Sequence, residues 1–145
     1  MGRNRRYTAF EQYADLKGNY VNSFGSLNRN GFTWICDLQP SAISETYRIK
    51  ITYTQNQHPK VYVISPKTLP LAKGAKVLPH TYDSKKQQIC LYNPHFNEWN
   101  SKMRISQSIV HWALEWLFYY EEWLSTGIWK GGGHGNWDVE FKENT

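Results

Sequence analysis

The sequence predicts an α+β fold, an antiparallel meander sheet with an N-terminal helix and a long C-terminal helix packed on it. Two patterns predict this class. Apolar residues alternate along segments 32–38 and 47–53, and the next segment, 61–65, is apolar at nearly every position; both patterns are typical of strands. Apolar residues recur at three- and four-residue spacing in 7–17 and 101–124, as is typical of amphipathic helices. Strands that follow one another through short connections favour a meander.

The first helix is predicted over residues 7–17, with Gly18 as its stop signal. The stretch NSFGSLNRNG that follows contains three Asn, two Ser and two Gly. This composition is typical of turns, and the segment is predicted to be a loop.

In the first predicted strand, alternate positions share one face, and these are Phe32, Trp34, Cys36 and Leu38. The third predicted strand, VYVIS, is apolar at nearly every position. Because both of its faces are apolar, it is predicted to be a central strand covered on both sides.

Residues 65–88 lose regular periodicity and contain Pro66, Pro70 and Pro79, so they are predicted to form an irregular excursion over the surface. We call this segment the flap. It ends in the apolar triplet Ile-Cys-Leu, residues 89–91, after which Asn93-Pro94 terminates any strand. The long C-terminal helix is predicted to start near Ser101.

A chain of 145 residues is expected to form one domain, residues 1–145. Its net charge of +5 favours acidic partners, but the lysines are dispersed and no nucleic-acid-binding signature accompanies them, so direct nucleic-acid binding is not expected. No apolar stretch is long enough to span a bilayer. Two distant cysteines indicate reduced thiols, and we expect a cytoplasmic protein without a metal site.

The two cysteines differ in their predicted surroundings. Cys36 shares a strand face with large apolar residues, which predicts a buried structural role. In an extended triplet, Ile89 and Leu91 point inward and Cys90 points to the outer side. The thiol of Cys90 is therefore predicted to be accessible, which makes it the candidate nucleophile.

The order of these features resembles the ubiquitin-conjugating enzymes. HPKVYVIS resembles the third strand of that family, with its leading proline, and ICL resembles the Ile-Cys-Leu around its thioester cysteine. Trp99 falls nine residues after Cys90, one more than is usual, and WNSKMRISQSIVHW resembles the Trp-Ser-Pro segment and the helix that follows it. The resemblance extends from about Tyr7 to Trp123 and implies a thioester on Cys90.

One motif departs from the family. Its His-Pro-Asn motif begins ten residues before the cysteine, where this chain has His80, Thr81 and Tyr82. The Asn supports the flap and the oxyanion formed when an amine attacks the thioester, so here the Tyr82 hydroxyl is a candidate for that task. The catalytic candidates are thus Cys90, His80 and Tyr82, although His80 also fits a structural role and Tyr82 a packing role. Lys85 and Lys86 are weaker candidates for favouring the thiolate.

The departures, together with the glycine-rich tail KGGGHG, resemble bacterial relatives encoded in antiphage operons with a cyclic-oligonucleotide synthase. The resemblance implies that Cys90 carries the C-terminus of the synthase and promotes its attachment to an acceptor protein, without a metal or an organic cofactor. Two alternatives remain open: a non-catalytic interaction domain of the same fold, and a cysteine hydrolase that uses Cys90 with His80 or His95. The tail is predicted to be a flexible exit, and we do not expect His134 to fold back to Cys90.

Overall fold

The computed structural model of the chain describes residues 5–131, and it confirms the α+β class. The helices and strands, in chain order, are α1 (Ala9–Asn19), β1 (Phe24–Leu27), β2 (Gly31–Leu38), β3 (Tyr47–Thr54), β4 (Lys60–Ser65), β5 (Thr81–Asp83), β6 (Gln88–Ile89) and α2 (Ile109–Thr126). All strand pairs are antiparallel, and the order across the open sheet is β1-β2-β3-β4-β6-β5. The predicted meander is therefore confirmed and forms the larger part of the sheet.

Helix α1 begins two residues later than predicted because a capping box fixes its first turn. The Thr8 side chain accepts a hydrogen bond from the Glu11 backbone N–H, and the Glu11 carboxylate accepts one from the Thr8 N–H. This reciprocal pair satisfies two backbone donors at the helix start. Gly18 does not stop the helix, which continues to Asn19.

Strand β1 lies in the segment that we predicted to be a loop, and that prediction was wrong. Its four residues are exposed, yet their backbone pairs with β2 from Phe24↔Ile35 to Leu27↔Phe32. An edge strand needs backbone partners more than apolar side chains, so composition did not reveal it. Gly25 permits the close approach, because a Cβ there would lie 2.6 Å from the Thr33 carbonyl oxygen.

The inner face of the meander forms much of the core. The alternation predicted for β2 and β3 is confirmed, since every second residue of both strands is buried. Strand β4 is central, as predicted, with β3 and β6 on its two sides. Only Val61 and Val63 are fully buried, however, and Tyr62 and Ile64 are partly exposed, so the prediction that both faces are covered was wrong.

Helix α2 starts at Ile109 and not near Ser101, because the preceding backbone is bound to α1. Gln12, which is buried, accepts a hydrogen bond from the Ile105 N–H at 2.9 Å and donates to the Met103 carbonyl at 2.9 Å. These bonds occupy groups that a longer helix would pair internally. The predicted apolar face is otherwise confirmed: its buried members are Ile109, Val110, Ala113, Trp116, Leu117, Tyr120 and Trp123.

Candidate active site at the end of the flap

The triplet that contains Cys90 continues directly from β6. Ile89 and Leu91 both belong to the cluster of buried side chains that forms the core, and Cys90 is not a member of that cluster among the described residues. The backbone N–H of Cys90 donates to the His80 carbonyl at 2.9 Å, one step beyond the Thr81↔Ile89 pair of β5 and β6. The predicted inward direction of Ile89 and Leu91 is therefore confirmed.

The predicted accessibility of the Cys90 thiol was wrong, because only 5% of this residue is exposed. Tyr82 lies near the triplet. Its backbone lies in β5, next to Gln88 and Ile89, and its hydroxyl donates to the Tyr92 carbonyl at 3.3 Å. The side chain of Tyr82 thus reaches from β5 to the residue two positions after Cys90.

Burial also decides the electrostatics of the thiol. It raises the pKa of Cys90 far above its usual value, because a thiolate there would lose its hydration. Burial, and then the charge of Cys90, raise the pKa of Tyr82 in the same way. Lys85 and Lys86, the weaker candidates for favouring the thiolate, are exposed and are not among the causes of the pKa shift of Cys90.

His80 has a structural environment. It is 5% exposed, its φ is 48°, and its ring stacks on Trp129 with centroids 4.7 Å apart. Its carbonyl accepts from the Cys90 N–H and from the Trp116 indole N–H at 3.0 Å. These contacts hold the flap turn between β6 and α2, and they favour the structural interpretation of His80 over the general base.

Gln87 holds the flap in place, a structural role that the sequence did not reveal. It is 1% exposed, and its amide nitrogen donates to the carbonyls of Val63 at 2.8 Å and Pro66 at 3.1 Å. Its amide oxygen accepts from the Leu69 N–H at 2.7 Å. One side chain thus attaches the start of the flap to its end. No signal in the sequence separates this glutamine from the exposed polar residues around it.

A cleft of about 260 Å³ opens beside the triplet. Its walls include Tyr82 and the two residues that flank Cys90, which are Ile89 and Leu91. His58 and Tyr92 stand on the same wall, where His58 Nδ1 and the Tyr92 hydroxyl form a 2.6 Å hydrogen bond. Burial lowers the pKa of His58, which favours the neutral ring. The pair fixes Tyr92, whose carbonyl holds the Tyr82 hydroxyl.

No sequence motif singled out His58 as a candidate site residue. His58 appeared in the sequence only as the residue before the proline that leads β4, and Tyr92 as the residue after the triplet. His95, the second histidine considered for a hydrolase, is exposed in the 3-10 helix Pro94–Phe96. Pairing His58 with Tyr92 required the fold, since 34 positions separate them.

Cys36 has the predicted structural role. It is 7% exposed within the core, and burial raises the pKa of its thiol. Within residues 5–131, no group of three or more His, Cys, Asp or Glu is arranged to hold a metal ion. Over the same range, neither helix combines the length and the apolar character needed to cross a bilayer. The KGGGHG tail from Gly132 onward, with His134, lies outside the described residues.

Comparison with known protein families extends the resemblance seen in the sequence. A family model described as Type II CBASS E2 protein matches residues 12–136, which is most of the chain. No curated protein matches the sequence. The matched segment runs from α1 through the sheet, the flap, the Cys90 triplet and α2. The chain therefore belongs to the Type II CBASS E2 protein family, a family of conjugating-enzyme-like proteins with a role in the CBASS antiphage system.

Proposed function

We propose that the chain is a cysteine-dependent acyl transferase that carries the C-terminus of a partner protein as a thioester on Cys90. The proposed donor is the cyclic-oligonucleotide synthase of the same operon, and the product is a synthase joined to an acceptor protein. The observation that carries the proposal is the position of Cys90 within a chain whose family match, residues 12–136, includes the whole flap and α2. Cys90 lies where the flap ends, directly after β6.

The chemistry is acyl exchange. The Cys90 sulfur attacks an activated C-terminal carboxyl group of the donor, displaces its leaving group and forms the thioester. An amine of the acceptor then attacks the thioester carbonyl, forms an amide and releases the Cys90 thiolate. The nucleophile must lose a proton in the first step, and the burial that raises the pKa of Cys90 opposes this loss. Donor binding must therefore change the surroundings of the thiol before transfer.

Tyr82 and His80 have different tasks in this proposal. Tyr82 stands at the sequence position of the family's Asn, and the influence of the Cys90 charge on the pKa of Tyr82 supports a place for its hydroxyl beside the reacting carbonyl. His80 acts as a positioning residue, because its carbonyl fixes the Cys90 backbone. It neither binds the acyl group nor moves its proton.

A trapped ester tests the proposal. Cys90→Ser, co-expressed with the adjacent synthase gene, is expected to yield a species whose intact mass equals that of both chains less one water. The serine ester is more stable than the thioester, so it accumulates. Cys36→Ala is the matched control, because it removes the other thiol from the buried core and leaves Cys90 in place. An adduct that forms on Cys90→Ala as readily as on Cys90→Ser refutes the assignment.

A second function, a non-catalytic interaction domain, is favoured by one specific observation. The thiol is buried and its pKa is raised, which is typical of structural cysteines. The two functions differ in the cell. Under the transferase proposal, Cys90→Ala abolishes protection against phage, whereas an interaction domain keeps its protection when Cys90 is replaced.

A further inference from the structure

Two indole rings meet at the residue that fixes the Cys90 backbone. The His80 carbonyl accepts hydrogen bonds from the Cys90 N–H at 2.9 Å and from the Trp116 indole N–H at 3.0 Å. The His80 ring stacks on Trp129, with centroids 4.7 Å apart and planes inclined by 21°. The Trp129 and Trp116 rings contact each other in turn, with centroids 5.6 Å apart. His80 is thus held at its carbonyl and at its ring by one aromatic cluster.

The backbone of His80 needs such contacts, because its conformation is unfavourable. Its φ of 48° lies in the left-handed region, which residues other than glycine adopt uncommonly. A conformation of this kind persists where the surrounding structure fixes it. The Cys90 N–H donates to the carbonyl of this same residue, so a change in the His80 backbone displaces the hydrogen-bond acceptor of Cys90.

The segment that carries Trp129 turns back directly after α2. Gly127, with a φ of 77°, ends the helix, and its N–H donates to the Trp123 carbonyl at 2.7 Å. The Thr126 hydroxyl then accepts a hydrogen bond from the Ile128 N–H at 3.1 Å. We call residues 128–131 the strap. These bonds fix the direction in which the strap leaves the helix.

The far end of the strap packs closely against α2. Gly131 is buried, and a Cβ there would lie 2.6 Å from Cδ2 of Tyr119 and 3.0 Å from the Trp129 indole nitrogen. Glycine allows this close approach without displacing the rings. Within residues 5–131, the Trp129 indole nitrogen has no hydrogen-bond partner. In the described part of the chain, ring packing therefore sets the position of this side chain.

We propose that Trp129 is a positioning residue for Cys90 and that it acts through His80. Its ring holds His80 in the left-handed conformation that directs the His80 carbonyl to the Cys90 N–H. The strap is thereby a part of the candidate active site, although it follows α2 in the chain. The inference rests on the proposed thioester function for the reaction of the positioned thiol. The contacts from Trp129 to Cys90 belong to the free protein.

Hydrogen exchange of the free protein tests this role at the Cys90 amide, with the amide of the fully buried Ile51 in β3 as the internal reference. Trp129→Ala is expected to raise the exchange rate at Cys90 about tenfold relative to Ile51, because the His80 carbonyl is no longer fixed. Trp129→Phe keeps a ring and is expected to restore most of the protection. Ile128→Ala, at a 60% exposed side chain of the same strap, is the matched control and should leave the Cys90 rate unchanged.

A second variant displaces the strap and keeps the Trp129 side chain. Gly131→Ala places a Cβ against the Tyr119 and Trp129 rings, so it is also expected to raise the exchange rate at Cys90. If Trp129→Ala raises the rates at Cys90 and Ile51 by the same factor, Trp129 supports the whole fold and the positioning role is overturned. An unchanged Cys90 rate in Trp129→Ala overturns it as well.

Donor loading separates this inference from the proposed function. With the synthase as donor, Trp129→Ala should lower the maximal rate of thioester formation about tenfold, with little change in the synthase concentration that gives the half-maximal rate. Trp129→Phe should recover most of the maximal rate. If the native protein forms no thioester, the transferase function fails and the exchange rates still decide the role of Trp129. If the native protein and Trp129→Ala load at equal rates, the positioning role alone fails.

Discussion

Replacement of Gln87 by Ala is expected to destabilise the protein far more than a typical surface substitution. The native side chain makes three hydrogen bonds that join β4 to both ends of the flap. Gln87 has a φ of 55°, and alanine retains the Cβ, so the backbone cost of this left-handed conformation is similar in both proteins. The change therefore isolates the side-chain amide.

The magnitude follows from the groups left behind. Truncation removes the acceptor of the Leu69 N–H and a donor to the Val63 carbonyl, and both residues are at most 1% exposed. A buried polar group without its partner costs about 1–3 kcal/mol. Pro66 is partly exposed, and its carbonyl can turn to water. We expect a loss of about 3 kcal/mol in the free energy of unfolding, which corresponds to a decrease of roughly 10 °C in Tm.

The measurement is urea denaturation followed by tryptophan fluorescence, which the seven Trp make sensitive. Gln107→Ala is the control, since this exposed glutamine should change the free energy of unfolding by less than about 0.5 kcal/mol. Hydrogen exchange at the Leu69 amide should rise in Gln87→Ala before global unfolding. If Gln87→Ala costs less than about 1 kcal/mol with an unchanged m-value, Gln87 does not hold the flap.

Three further predictions concern other groups. Burial alone would raise the pKa of Asp15, but hydrogen bonds from Arg104 and Ser106 outweigh it and hold that pKa below its usual value. Asp15→Asn should therefore cost about 1–3 kcal/mol at pH 7. The stabilisation by the Asp15 carboxylate is fully present above the pKa of about 3.9 that Asp has in the unfolded chain. In urea titrations, the difference in free energy of unfolding between the native protein and Asp15→Asn should therefore decrease as the pH falls through the lower native pKa. The difference should not decrease at high pH. Trp116→Phe removes the indole donor to the His80 carbonyl, so hydrogen exchange at the Cys90 amide should become faster. The free energy of unfolding should decrease by about 1–2 kcal/mol. An unchanged exchange rate contradicts the role of Trp116 in holding the His80 carbonyl. Burial raises the pKa of Cys90, so the rate of Cys90 alkylation at pH 7 should be lower than that of free cysteine. The rate should still increase about tenfold per pH unit at pH 9. A rate that reaches a plateau below pH 8 contradicts the buried environment of the thiol.

The candidate site was only partly predictable from sequence. Alternation along the triplet correctly predicted that Ile89 and Leu91 face the core. It did not predict that Cys90 between them would be only 5% exposed. Alternation along an extended backbone gives the direction of a side chain, but its exposure depends on which other parts of the fold pack against it.

The amino-acid sequence by itself determined the repeating elements of this protein. Period-two alternation specified β2 and β3, a continuous apolar run specified β4, and helical spacing specified the buried face of α2. The spacing of the triplet and Trp99 contributed to the family resemblance. These patterns are readable because each reflects contacts along a single element.

Only the tertiary structure decided where β1 pairs, where α2 begins and how deeply Cys90 is buried. Each of these depends on contacts outside the element itself: β1 pairs through its backbone with β2, α2 starts after the segment held by Gln12, and Cys90 is 5% exposed within the surrounding fold. Backbone pairing and single hydrogen bonds leave no periodic pattern in the sequence. In the sequence, a polar residue that finds a partner in the fold cannot be told apart from one that faces solvent.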